Sequence, residues 1–207
     1  MFNYVLSLIG EQPLLSSAGN LGQLVRNSLY TSTLAVVQSS RASFFEQFVT
    51  GTATNDDYLV PAMVVPTDVI QVLDVLYADP YVNLVPLSRQ ELVNFNRSYP
   101  DYTYDIVGSN LYISPRIPRP ANIRLRALVV PSIPTADDTL VSIPKPALPA
   151  VAHGAASILC LSYVDDGNAA AQHKRLADEL TMALRQQYGI TRGRTFNIGH
   201  NNAPAIY

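Results

Sequence analysis

ALPAVAHGAASILCLSYVDDGNAAAQHKRLADELTMALRQQYG, residues 147–189, decides how this chain is read. It opens on a proline-interrupted start at Pro149 and continues as a small-residue helix, VAHGAASILCLSYV, whose Ala and Gly residues allow close helix approach. Asp165-Asp166-Gly167-Asn168 breaks the pattern with turn-forming residues. A second helix is expected from Ala169 to Tyr188, where Leu176, Leu180, Leu184 and Tyr188 recur every four residues. Gly189 supplies a C-terminal stop. Two helices joined by a short polar turn predict an antiparallel hairpin.

Working outward, residues 3–9 form a short apolar helical segment stopped by Gly10 and Pro13. A loop follows, with Asn20 as a capping residue. No proline occurs from Leu21 to Val49, and Leu21, Leu24, Val25, Leu29, Leu34, Val37, Phe44, Phe45 and Phe48 give a helix-like stripe. One long helix is expected there. The texture then changes. Tyr58-Leu-Val-Pro61 and Met63-Val-Val-Pro66 are short extended runs closed by proline, and VIQVLDVLY (69–77) is a β-branched strand. SRQELVNF (88–95) reads as a short helix with Ser88 as cap and Glu91 at the capping-box position. Residues 102–114 read as a hairpin around Gly108-Ser109-Asn110. In NIRLRALVV (122–130), Ile123, Leu125 and Ala127 alternate with Arg124 and Arg126, a strand with one wet or partner-facing side.

The expected fold is α+β. Residues 1–49 and 147–189 form a helical bundle, 50–146 an inserted small antiparallel β-sandwich or barrel, and 190–207 an extended C-terminal tail.

Composition narrows the function. Of 207 residues 48% are hydrophobic, so the chain can bury a real core, and only 14% are charged, which favours a subunit that buries further surface against partners. The net charge of −2 argues against a basic nucleic-acid binder. One cysteine excludes an intrachain disulfide, and His153, His173 and His200 are too scattered for a zinc cage. The first ten residues lack a positive segment ahead of a short apolar run, so no signal peptide is expected. Ala155–Val164 falls short of the roughly 20 residues needed to span a bilayer.

Catalytic constellations are not found. The pairs Asp56-Asp57, Asp137-Asp138 and Asp165-Asp166 fall in loops, where turn chemistry favours Asp. Cys160 sits mid-helix among apolar neighbours, and His153, two turns away, is about 10 Å off by helical rise, too far for direct proton transfer. No phosphate loop or nucleophile elbow is present. No catalytic residue, metal or cofactor is therefore expected.

Charge is unevenly spread. Ala42–Ser88 carries six acids, among them Asp56, Asp57, Asp68 and Asp74, and no Lys or Arg. Arg116, Arg119, Arg124 and Arg126 follow with no acid between them. The two segments either form complementary faces between neighbouring subunits, a head-to-tail contact that closes into rings, or pair within one chain, or are simply solvated. The tail has a parallel choice. Arg192, Arg194, Phe196, Ile198, Ile206 and Tyr207 give it basic and apolar anchors, which either dock on a partner by strand addition or groove binding or fold back on their own domain.

The opening Val5-Leu-Ser-Leu-Ile-Gly-Glu-Gln-Pro13, the long helix, the β-rich insert with Asp105–Ile113 and Ile123–Pro131, and the final helix ending Gln-Gln-Tyr-Gly189 resemble head-to-tail adaptors of short-tailed phages, the tail tubular protein A-like connectors. The resemblance implies a structural virion protein of the neck, assembled in the host cytoplasm as a ring of 12 copies beneath the portal protein. It implies that the tail binds the portal through the six anchors above, that the β domain faces the tail nozzle protein, and that DNA passes the lumen without specific binding. No cofactor, catalysis or membrane is implied. A neck or tail-completion protein of a long-tailed phage is the competing reading.

Overall fold

Helix formation along the first 45 residues ends where a left-handed residue turns the chain. A computed structural model describes residues 1–12, 19–54, 60–78, 81–86, 102–114, 117–132, 143–190 and 196–197, and the statements below concern these. Helix α1 (Phe2–Leu8) buries Phe2, Val5 and Leu6. Helix α2 (Asn20–Ser40) buries a stripe from Gly22 through Val25, Leu29, Ser32 and Val36 to Ser40. Its N-cap is Gly19, so Asn20 is the first helical residue rather than the cap. The helix expected to run to Val49 stops at Ser40, because Arg41 adopts φ 46° and a 3-10 turn, Ser43–Phe45, follows. Beyond it the β-branched run containing Val49 and Thr50 goes into a strand.

The chain divides into two compact units. The first comprises Met1–Phe45 and Val130–Ile190, the second Glu46–Val129 with Thr191–Tyr207. In the helical unit, a 3-10 turn (Lys145–Ala147) leads into α3 (Leu148–Leu159), with Pro149 in the first turn, where it forfeits no helical hydrogen bond. A wide π-helical turn, Cys160–Val164, ends at Asp165 with φ 58°. Helix α4 (Gly167–Tyr188) then runs back, completing the expected hairpin. Asp166 caps it, accepting hydrogen bonds from the backbone N–H of Asn168 and Ala169, both at 3.0 Å.

Helix α3 is the centre of this unit and packs on α1, α2 and α4. Lys145–Val164 is 20 residues long and by length and composition apolar enough to cross a membrane, so the apolar stretch is longer than expected. Half of that window is buried within the protein, the pattern of a core helix. Its small residues set the spacing. A Cβ on Gly154 would lie 2.1 Å from Ser32 Oγ, and Ser32 Oγ instead donates to the Val151 carbonyl at 2.8 Å. Ser157 Oγ likewise donates to the Ala170 carbonyl at 2.9 Å. On α4 the buried seam is Ala170, Ala177 and Leu184, spaced by seven. The leucine stripe expected at every fourth residue is only partly inside, since Leu176 and Tyr188 are exposed. Alanine fills two of the three seam positions, and Leu184 is the member of the expected stripe that is buried. Gly189 does end α4, but with extended rather than left-handed backbone, φ −64°. It must be glycine for a different reason: a Cβ there would lie 2.3 Å from the Arg185 carbonyl oxygen. The unit is tied at this point by an antiparallel bridge of Ala42 to Gly189 and by Ile190 N–H donating to the Arg41 carbonyl at 2.9 Å.

The β unit holds β1 (Glu46–Ala53), β2 (Met63–Val64), β3 (Val69–Ala78), β4 (Tyr81–Asn83), β5 (Val85–Pro86), β6 (Thr103–Val107), β7 (Asn110–Ile113), β8 (Ala121–Val129) and β9 (Phe196–Asn197). One sheet has the order β1-β8-β3-β4, with β9 added to β3, and the other β2-β7-β6-β5. All pairs are antiparallel except β5 with β6. The expected hairpin is β6–β7, turning at Gly108 with φ 62°, a conformation glycine adopts without strain. Both sheets feed one core, in which Val72, Val75, Ile123, Leu125 and Ala127 meet Tyr104, Leu111 and Ile113. Register shifts interrupt the β3–β8 ladder after Val69 and Val72, so β3 buries Gln71, Val72, Leu73 and Val75 instead of alternating strictly. The helix expected at 88–95 lies outside the described residues.

Candidate functional site

Strand β8 carries the arginine-rich segment in the middle of its sheet. As the alternation requires, Ile123, Leu125 and Ala127 are buried while Asn122 is exposed and Arg124 and Arg126 are partly exposed. Its neighbours bring acids to Arg126 from both sides. Asp74, its register partner on β3, places a carboxylate oxygen 3.0 Å from Arg126 Nε, and Glu46 on β1 places one at 3.7 Å. Arg124 has no acid partner among the described residues, and its guanidinium carbon lies 4.0 Å from the centroid of the Phe48 ring. Phe48 is 53% exposed, and with Arg124 it forms an aromatic–cationic patch on this face. Arg119 Nη1 donates to the Ile117 carbonyl at 2.6 Å. Asp68 lies exposed in the turn before β3. Of the eight charged residues expected at subunit contacts, the structure therefore brings Asp74 and Arg126 together within one chain. Asp56, Asp57 and Arg116 lie outside the described residues.

The tail meets the same sheet. Phe196 and Asn197 form β9 and pair antiparallel with β3, Val72 opposite Phe196 and Gln71 opposite Asn197. This two-residue ladder occupies the side of β3 that β4 covers only from Leu76 onward. Gln71 is 2% exposed, and its amide nitrogen has no hydrogen-bond partner among the described residues. Arg192, Arg194, Ile198, Ile206 and Tyr207 lie outside the described residues.

The helical unit holds a cluster that sequence reasoning missed. His153 on α3 and His173 on α4 face each other with Nδ1 to Nδ1 at 3.0 Å. The ring centroids are 5.2 Å apart and the planes differ by 26°, so the two nitrogens meet nearly head-on, a geometry for sharing a proton. His173 Nε2 donates to the Leu8 carbonyl at 3.2 Å, one of the oxygens α1 leaves without a helical partner. A neutral His173 therefore presents Nδ1 as an acceptor, and His153 Nδ1–H donates to it. Burial, with the charge of His173, holds His153 below the ordinary histidine value of 6.5. No spacing in the sequence marks the pair, since His153 lies 12 residues before Asp165 and His173 only 7 after Asp166. Cys160 is buried nearby, and burial, reinforced by the charge of Asp166, pushes its thiol above its ordinary value, an unreactive setting. Among the described residues no group of three or more His, Cys, Asp or Glu could hold a metal ion. At the hairpin tip, Leu161, Tyr163 and Val164 are all exposed. The pair Asp165-Asp166 does turn chemistry, one closing the π turn and the other capping α4.

Comparison with known proteins gives one match of high coverage. A family model described as SU10 adaptor protein matches residues 15–198. That span takes in α2, the β unit up to β9, and the α3–α4 hairpin. No curated protein matches the chain.

Proposed function

Since the chain belongs to the SU10 adaptor protein family, we propose that this phage structural protein is the ring-forming adaptor that joins the portal to the tail nozzle and lines part of the DNA-ejection channel. The observation that carries the reading is the family match across residues 15–198. In this reading 12 copies assemble in the virion neck. The tail residues Arg192, Arg194, Phe196, Ile198, Ile206 and Tyr207 bind the portal. Charged residues of the insert, Asp56, Asp57, Asp68, Arg116, Arg119 and Arg124, meet the neighbouring copy, with Asp74 and Arg126 shared between the in-chain pair and that contact. The Arg124–Phe48 patch and the exposed Leu161, Tyr163 and Val164 support it by offering surface of the kind that aromatic, Arg and apolar contacts favour. A net charge of −2 suits a conduit, because a basic lumen would grip DNA by its phosphates. The proposed role asks for no catalysis, and the buried Cys160 and the turn-bound Asp165 and Asp166 accord with that.

The test is assembly. Purified protein is mixed with portal rings of short-tailed phages and the complex weighed by native mass spectrometry. One copy bound per portal subunit is expected. A folded, monodisperse sample that binds no portal would overturn the adaptor assignment and favour the tail-completion role in a long-tailed phage.

A further inference from the structure

The α3–α4 hairpin carries apolar residues past the core they would serve. Eight consecutive residues, from Leu161 to Asn168, are exposed, whereas a helix lying on a core turns a residue inward at every third or fourth position. The tip therefore stands clear of its own unit. Its turn is closed by backbone and side chain alike. Asp166 N–H donates to the Cys160 carbonyl at 2.9 Å, Asp165 is left-handed, and the Asp166 carboxylate caps α4. On this turn Leu161, 63% exposed, sits with Tyr163 and Val164, which are exposed as well. A solvated turn gains nothing from three large apolar side chains together, so they mark a contact. The charge beside them narrows what they contact. No Lys or Arg occurs from Pro146 to His173, and Asp165 is exposed at the tip. The matching surface is thus apolar or aromatic with a cation beside it.

We infer that the hairpin tip of one copy docks on the Phe48–Arg124 patch of the next copy. The chain itself carries the surface that the tip asks for. Phe48 is exposed on β1, the Arg124 guanidinium lies over its ring, and Thr50, the register partner of Arg124, is exposed beside them. Asp74 and Glu46 both turn to Arg126, so the charge at this end of the face is that of Arg124. From Ser114 to Ala136 the chain has four Arg and no acid. The cation of α2 is a poorer mate, since Arg26 already donates to Gln23 at 3.1 Å. In the docked pair Asp165 meets the Arg124 guanidinium while Leu161 and Tyr163 cover Phe48, an aromatic and Arg centre of the kind that carries interface energy. Tip against tip would set Asp165 against Asp165, which disfavours a two-fold dimer through the tips. Tip on patch joins two different surfaces of one chain, a head-to-tail contact that closes into a ring. That ring is the assembly proposed above, and the inference rests on that reading while naming the contact that builds it.

The test exchanges the two charges between copies. Full-length Asp165→Lys and Arg124→Glu chains are checked for folding by circular dichroism. Each is then titrated alone and as an equal mixture, with and without portal rings of short-tailed phages, and weighed by native mass spectrometry. Either variant alone sets like charges in every contact. The mixture can alternate, with Asp165 on Arg124 at one contact and the introduced lysine on the introduced glutamate at the next. The concentration for half-assembly is expected to rise at least about tenfold for each variant alone and to return to within about threefold of the parent in the mixture, with the two masses in equal numbers. Leu161→Ser, at a side chain the fold leaves in solvent, is expected to weaken assembly by about tenfold without touching either charge. Either charge variant, or Leu161→Ser, assembling like the parent would overturn the contact and leave the adaptor ring standing. Loss in both charge variants without recovery in the mixture would also overturn it, because the two charges are then not each other's mates. Recovered self-association in a mixture that binds no portal would uphold the contact and overturn the adaptor assignment. A folded parent that neither self-associates nor binds the portal would overturn both.

Discussion

His153 and His173 can share one proton but not hold two. In the neutral pair His153 donates to His173, which in turn donates to Leu8 and so ties α1 to the α3–α4 hairpin. A second proton would set two N–H groups against each other at 3.0 Å. The charged or ionisable groups on the surrounding helices are Tyr4 on α1, Arg26 and Tyr30 on α2, and Lys174, Arg175, Asp178, Glu179, Arg185 and Tyr188 on α4, while α3 has none besides His153. Lys174 pairs with Asp178 and Arg175 with Glu179. Because the folded His153 value lies below 6.5, the unfolded chain binds more protons just under that pH. The stability from this group is full above 6.5 and is lost as pH falls through the folded value. His153→Gln should flatten the fall in melting temperature between pH 7 and pH 5.5, and an unchanged slope would place the sensitivity elsewhere. Gly154 makes a steric demand instead. Gly154→Ala should destabilise the protein by about 1–3 kcal/mol in urea unfolding, the usual cost of overpacking. Ser32→Gly should recover part of that loss, because the clash is with the Ser32 side chain.

At the scale of elements, helix termini carry individual weight. Asp166 satisfies two N–H groups at the start of α4. Asp166→Ala should cost about 1 kcal/mol, read as a lower denaturation midpoint at unchanged m-value, with Asp166→Asn close to the parent. Elements were legible where one local signal ruled. The hydrophobic alternation of β8, the Gly108-Ser109 turn and the Asp-Gly break before α4 each point one way, and each is found. The end of α2 was not legible. Phe44, Phe45 and Phe48 continue a helical period, and what stops the helix is the left-handed Arg41, a conformation with no compositional mark. The seam of α4 was hidden because alanine draws little notice in a hydrophobic pattern, yet it is what lets helices close in. The two-residue β9 had no pattern at all. Of the candidate surfaces, the wet face of β8 was readable from its alternation. The histidine pair was not, because it depends on two helices meeting in register.

At the scale of the molecule, the second unit interrupts the first in sequence. The helical unit is built from Met1–Phe45 and Val130–Ile190, so its halves find each other only across the intervening chain. Leu125 is fully buried in the core both sheets share. Leu125→Ala should destabilise the β unit by about 2–5 kcal/mol. It should also slow the appearance of helical signal in stopped-flow refolding, although the substitution lies outside the helical unit. A helical phase of unchanged rate would mean that the two units fold independently. The reason lies in the first rung of the β1–β8 ladder, where Glu46 pairs with Leu128. Once that ladder has formed, the chain's exit at Glu46 and its return at Leu128 lie one strand spacing apart, about 4.8 Å. The long loop that the helices would otherwise have to close is then already closed, and its entropy has been spent by the sheet. The β insert thus acts on the helical unit as a cross-link would, reversible and without sulfur, drawing distant stretches of sequence into a single effective hairpin.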